Sequence, residues 1–126
     1  MRIIGIDFGQ NKIGISVSES RIAQPFTVVR GGNFLFKVAQ IIEKYVPDLV
    51  VVGVSEGKSA DESKDFALEL EKVSGVKTIF EDETLTTQDA QRLAQSANIK
   101  RSRRQRMEDA FAAAVMLQSY LDKQKL

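Results

Sequence analysis

Cysteine and histidine are both absent from the 126 residues of this chain. Their absence removes disulfides, zinc sites built on thiolate or imidazole, Ser-His-Asp triads and cysteine nucleophiles together. Acid–base or metal chemistry must therefore run on aspartate and glutamate. The N-terminal residues lack a charged stretch leading into an apolar signal segment, and no apolar run approaches the roughly 18 residues that cross a bilayer. A cytoplasmic protein with no membrane partner is expected. No internal repeat or linker interrupts the chain, and its length fits one domain, residues 1–126, with about two-thirds of its surface buried around one core. The net charge of +1 hides a local imbalance, since Glu81-Asp82-Glu83 is acidic and residues 100–106 are strongly basic.

What is present begins with a strand. The apolar run Ile3-Ile4-Gly5-Ile6 reads as buried on both faces, and Asp7 closes it where water is scarce. The Gly9-Gln10-Asn11 turn suits a hairpin into a second strand, in which Ile13, Ile15 and Val17 alternate with Gly14 and Ser16. Residues 22–29 supply a third extended segment, with Gln24-Pro25 favouring an edge or a bulge. Gly31-Gly32 breaks it, and Asn33 is placed to cap a helix carrying Phe34, Val38, Ile41, Ile42 and Tyr45 at helical spacing, ended by Pro47. The β-branched run Leu49–Val54 has the pattern of a parallel strand covered on both faces. A second helix is expected over residues 61–73, with Phe66, Leu70 and Val73 inward and Ser74-Gly75 ending it; a short strand over residues 76–80 follows. Thr86 and Asp89 have capping-box spacing and open a helix with Ala90, Leu93, Ala94 and Ala97 on one face. The last helix, over residues 105–123, is apolar nearly all round from Ala110 to Leu117 and should pack deep. The order β-β-β-α-β-α-β-α is that of an α/β ribonuclease H-like fold, a mixed five-stranded sheet flanked by helices.

Three carboxylate positions stand out. Asp7 closes the first strand, at the rim of the central hairpin, where it can help to hold a metal ion or simply cap the turn. Glu81-Asp82-Glu83 follows the 76–80 strand, in the loop where α/β sheets place their sites, or forms a solvated acidic turn. Asp109 shares a helical stripe with Ala113, Met116 and Tyr120, so it opens a predominantly buried face; alternatively it serves the helix macrodipole, as Glu108 can. Together they make an oxygen-ligand pocket drawn from distant parts of the sequence. Hard oxygen donors without imidazole or thiolate suit Mg²⁺ or Mn²⁺. Two such ions, about 3.5–4 Å apart, activate a water on one side of a phosphodiester and stabilise the leaving oxygen on the other. Phosphodiester hydrolysis of this kind needs no histidine.

Lys100, Arg101, Arg103, Arg104 and Arg106 put five cations into seven residues just before the helix that carries Asp109. Lys12 and Arg21 are expected to add to the same side. Such clusters bind nucleic-acid backbones through charge neutralisation and counter-ion release, without sequence readout, although a run of this kind can also be a solvated surface.

Several segments also resemble a known family. Gly5-Ile6-Asp7-Phe8-Gly9 with Ile13-Gly14-Ile15-Ser16-Val17, Leu49-Val50-Val51-Val52-Gly53, Asp82-Glu83-Thr84-Leu85-Thr86-Thr87, and Asp109-Ala110-Phe111-Ala112-Ala113 with Leu117-Gln118-Ser119-Tyr120-Leu121 are similar to the YqgF family, in collinear order over nearly the whole chain. The resemblance implies a ribonuclease H-like nuclease that resolves Holliday junctions or matures the 5′ end of precursor 16S ribosomal RNA. It also implies that Asp7, Glu83 and Asp109 are catalytic metal ligands for Mg²⁺ or Mn²⁺, with Asp82 beside them. Two departures matter. Thr84 stands where the family usually has Arg, removing a cation that could meet a phosphate. Val54-Ser55-Glu56-Gly57 follows the fourth strand where a Pro is usual, and Glu56 is either a fourth ligand or a surface residue of a loop.

The leading expectation is a metal-dependent endonuclease acting on precursor ribosomal RNA or branched DNA. The alternative is a non-catalytic RNA-binding factor of ribosome assembly that keeps the fold. A third reading, an ATPase of the actin and sugar-kinase type, rests on Asp7-Phe8-Gly9 and fails on size, since those enzymes close two lobes around a nucleotide. Resolving a junction calls for two active sites related by symmetry, so a homodimer is expected for that substrate.

Overall fold

A computed structural model describes residues 1–9, 11–54, 58–82 and 107–124. Three strands, β1 (Ile3–Phe8), β2 (Lys12–Ser18) and β3 (Gln24–Arg30), form an antiparallel meander. Helix α1 (Phe34–Tyr45) leads to β4 (Leu49–Val54), α2 (Lys58–Ser74) to β5 (Thr78–Asp82), and α3 (Glu108–Lys123) follows. The spatial order of the sheet is β3-β2-β1-β4-β5, with β4 parallel to both β1 and β5. The expected mixed five-stranded sheet is therefore the one found. No helix among the described residues is long and apolar enough to cross a membrane.

Strict alternation along β1 and β4 divides the core in two. Ile4, Ile6, Val50 and Val52, with Ile13, Ile15 and Val29, face α1 and α2, where Val38, Ile42, Ala67 and Leu70 are buried. On the other face, Ile3, Leu49 and Val51 meet Met116, Leu117 and Leu121 of α3. Both faces are covered, which is why these central strands read as continuous apolar runs.

Helix α3 lies low on its face because the contact residues are small. Ala110, Ala113 and Ala114 are buried on the helix, and Gly5, Gly14 and Ser16 lie beneath it. A Cβ on Gly5 would stand 2.9 Å from the Leu117 Cβ, and one on Gly14 only 1.9 Å from the backbone oxygen of Asp109. Ser16 Oγ donates to the Ala113 carbonyl at 2.9 Å, satisfying a buried hydroxyl that would otherwise be costly.

Several local expectations need correction. The third strand runs Gln24–Arg30 rather than over residues 22–29, and Pro25 pairs opposite Ser16 beside a register shift on this edge strand, where a missing N–H is tolerated. Asn33 does not cap α1 with its side chain. It follows Gly31 and Gly32, at φ 85° and 80°, into the left-handed region at φ 52°, and only its carbonyl engages the helix, accepting from Lys37 N at 3.0 Å. The left-handed residue that ends α1 is Val46, at φ 53°, whose N–H donates to the Ile42 carbonyl at 2.9 Å, with Pro47 next. Val73 is exposed, because the inward stripe of α2 is Ser63, Ala67 and Leu70. β5 begins and ends two residues later than expected, since pairing with β4 carries it through Glu81 and Asp82 despite their poor strand propensity. The expected helix opened by Thr86 lies outside the described residues.

Candidate active site

β1 brings Asp7 to the carboxyl end of the sheet, paired with Gly14 on one side and Gly53 on the other. Glu81 is in turn the partner of Gly53, so Gly14, Asp7, Gly53 and Glu81 form one row across four strands, on the face that carries α3. Residues directly opposite in neighbouring strands share a face. The two glycines leave Asp7 without a side chain on either flank.

α3 delivers Asp109 to the same end. Its backbone rests directly over Gly14, the cross-strand neighbour of Asp7. The helix starts without a side-chain cap at Met107, and Glu108 and Asp109 provide two acids in its first turn, as its macrodipole favours. One of these acids also has a specific partner. Lys12, at the start of β2, places Nζ 3.1 Å from Asp109 Oδ2, the two side chains being 48 % and 27 % exposed. That oxygen is itself shielded from solvent and has no hydrogen-bond partner among the described residues, so the ammonium meets it as a charge without hydrogen-bond alignment.

Two residues of the acidic triplet, Glu81 and Asp82, lie in β5. Glu81, expected in a loop, sits inside β5, buried, and accepts a 2.5 Å hydrogen bond from Lys123 Nζ of α3. That bond holds the Lys123 ammonium above its ordinary value of 10.5. Asp82, paired with Val54 at the end of β5, is exposed, and its charge reaches Lys123 as well. Glu83 and Glu56 lie outside the described residues, as do Lys100, Arg101, Arg103, Arg104 and Arg106. Among the described residues no three carboxylates gather closely enough to hold a metal ion. Asp7 and Asp109 are the two that the fold brings to the same end of the sheet, on the face that carries α3.

Of the outlying cations, Lys12 is at the site and Arg21 is not. β2 runs back antiparallel to β1, so its far end pairs Ser18 with Ile3, and the 21–23 segment beyond it is pinned to α3 by Gln118. Gln118 Nε2 donates to the Arg21 carbonyl at 2.9 Å and Oε1 accepts from Ala23 N at 2.9 Å, at the opposite end of the sheet from Asp7. Arg30, not singled out from the sequence, is the cross-strand partner of Lys12. Only the register of β3 could have placed it there.

This geometry accompanies clear similarity to known proteins. The profile of the RuvX family, described as Holliday junction resolvase, matches residues 1–123. A protein of Caldanaerobacter subterraneus subsp. tengcongensis, provisionally named a pre-16S rRNA nuclease, is 36 % identical over 137 aligned residues covering 99 % of each chain. One of Leuconostoc mesenteroides with the same provisional name is 37 % identical, covering 97 % of this chain and 95 % of its own. Among solved structures, the Fowlpox virus Holliday junction resolvase superposes with a TM-score of 0.70 at 15 % identity, over 99 % of this chain and all of its own. Thermus thermophilus RuvC in complex with a Holliday junction substrate gives 0.65 at 18 % identity, over 98 % and 95 %. These neighbours share the ribonuclease H-like fold.

Proposed function

The chain belongs to the RuvX family, the YqgF family of its sequence motifs, and we propose that it is one ribonuclease H-like nuclease domain over residues 1–126 that hydrolyses phosphodiester bonds with a divalent metal ion. Its substrate is structured nucleic acid in the cytoplasm: the 5′ end of precursor 16S ribosomal RNA, as the relatives' names suggest, or a branched DNA junction, for which it would act as a homodimer. The observation that carries this reading is the seating of Asp109 over Gly14, the cross-strand neighbour of Asp7, with a shielded Asp109 oxygen that already draws a cation, the Lys12 ammonium.

The donors present fit a hard cation. They are carboxylate oxygens alone, the donor class hard divalent cations prefer, and the shielded Asp109 oxygen is a position that already attracts a cation, the Lys12 ammonium at 3.1 Å. Asp7 and Asp109 would hold the ion, with Glu83, the ligand the family motif supplies, as the third. When bound, Mg²⁺ or Mn²⁺ lowers the pKa of water and neutralises charge on the phosphate. The chain's own residues do the rest. Asp7 is fixed by its place in the central strand, and Asp109 by the seating of α3. Lys12 and the basic residues Lys100, Arg101, Arg103, Arg104 and Arg106 hold backbone phosphates by charge, without reading sequence.

Cleavage of precursor 16S ribosomal RNA and of a four-way DNA junction, with Mg²⁺ or Mn²⁺, tests the reading. Asp7→Asn and Asp109→Asn should each lower the rate by at least about a hundredfold, as expected for loss of a positioned ligand, while leaving salt-sensitive RNA binding intact. A wild-type protein that binds RNA but cuts neither substrate would refute the nuclease and assign the alternative, an assembly factor retaining the fold.

A further inference from the structure

Lys12 has an uncommon relation to the site. It is not part of the carboxylate set, yet its ammonium stands 3.1 Å from the one Asp109 oxygen that has neither solvent nor a hydrogen-bond donor. Lys12 lies two residues before Gly14 on the same strand face, so its side chain approaches Asp109 along the sheet surface, beneath the start of α3. Its stem is half exposed, and it lies directly opposite Arg30, a like charge across the β2–β3 pair. Like charges facing each other across strands repel, which favours an ammonium turned toward the carboxylate.

Lysine suits such a task because its charge is compact and its stem flexible, unlike the planar fork of arginine. We propose that Lys12 is a positioning residue that stands in for the divalent ion: in the metal-free protein its ammonium occupies the cation position at Asp109, and a metal ion must displace it to bind. The inference rests on the metal-dependent reading above and adds a regulatory element to it. Metal-free protein keeps Asp109 neutralised and in place, at the cost of weaker ion binding.

Binding of Mn²⁺ to the full chain, followed by the electron paramagnetic resonance signal of free Mn²⁺ and by thermal melting with and without the ion, tests this without reference to cleavage. Lys12→Met should bind Mn²⁺ about three- to fivefold more tightly than wild type, the competition lost with one partly exposed ion pair. Its metal-free form should melt lower than wild type, and saturating Mn²⁺ should narrow the difference. Lys12→Arg keeps the competing charge and should stay within about twofold of wild-type affinity. Unchanged or weaker Mn²⁺ binding by Lys12→Met, or an equal loss of melting temperature with and without Mn²⁺, would mark Lys12 as structural only and overturn the proposal while leaving the metal site standing. Wild-type binding that Asp109→Asn does not alter, or no Mn²⁺ binding by any form, would overturn both.

Discussion

Replacing Gly14 by alanine adds one methyl group and tests how the site is assembled. The new Cβ would lie 1.9 Å from the Asp109 carbonyl oxygen, 2.3 Å from its carbon and 2.9 Å from the Ala110 nitrogen. All three are backbone atoms, so no side chain can rotate away. Restoring ordinary contact at about 3.4 Å requires the first turn of α3 to rise by roughly 1.5 Å from the sheet. Overpacking of this kind costs about 1–3 kcal/mol, and a rigid neighbour puts the change at the upper end, near 3 kcal/mol. For a chain of this size that is a fall of about 10–15 °C in Tm.

The functional effect should exceed the thermodynamic one. A shift of about 1 Å in a catalytic group can cost a hundredfold in rate, so Gly14→Ala should lose cleavage and most Mn²⁺ affinity at temperatures where it remains folded. Gly32 is the control, since a Cβ there meets nothing within 4 Å and Gly32→Ala pays only for its φ of 80°. Melting followed by circular dichroism, with Mn²⁺ binding measured on the same samples, separates the two effects. A Gly14→Ala protein within about 1 kcal/mol of wild type that binds Mn²⁺ normally would refute the seating of α3 on β2.

Two further substitutions act away from the site. Tyr45 Oη is buried without a hydrogen-bond partner, while its ring lies 4.9 Å from the Arg2 guanidinium; Tyr45→Phe keeps the ring contact, removes the orphaned hydroxyl, and should be neutral or stabilising by up to about 1 kcal/mol in denaturant unfolding. Burial first, then the charge of Glu19, raises the Tyr45 pKa above 10.0 against the opposing effect of Arg2, so keeping the phenol protonated, relative to phenolate, contributes stability below pH 10. That contribution fades as pH rises through the folded-state value, and Tyr45→Phe should flatten the alkaline loss of stability. Val46 is 68 % exposed and β-branched in the left-handed region, so Val46→Gly should raise stability by about 1 kcal/mol; a loss would show that its side chain contributes more than its backbone costs.

The sequence was most readable where one interaction dominates. β4 has the expected bounds because a parallel strand covered on both faces must be apolar throughout, and the inward face of α3 follows from its run of alanines and large apolar residues. The sequence pattern suggested grouping Asp7 with Asp109, but not the close seating of α3 on Gly14, where a Cβ would stand 1.9 Å from the Asp109 carbonyl oxygen. Local signals failed where tertiary pairing outweighed them. Glu81 reads as a loop acid, but the β4 ladder holds it in a strand, and Lys123, 42 positions away, neutralises it. Asn33 reads as a cap, but two left-handed glycines before it set another path for the backbone. Arg21 seemed to belong with Lys12 until β2 carried it to the far end of the sheet.

A carboxylate-only site depends on distance more than on residue type, and the residues that fix distance here carry no charge. Gly14 lets the first turn of α3 down beside Asp7, Ser16 ties the next turn through the Ala113 carbonyl, and Gly5 makes room for Leu117 one turn further on. Three successive turns of the helix are thus registered against β1 and β2 by small side chains. Glu81, in the same row as Asp7, is removed from competition for a cation because Lys123 from the end of that helix already holds it. The same helix therefore delivers one acid to Asp7 and neutralises another, and both acts depend on how low it lies. Keeping every acid is consequently not enough to keep the site: a variant that retains Asp7, Glu83 and Asp109 but enlarges Gly5, Gly14 or Ser16 should lose it.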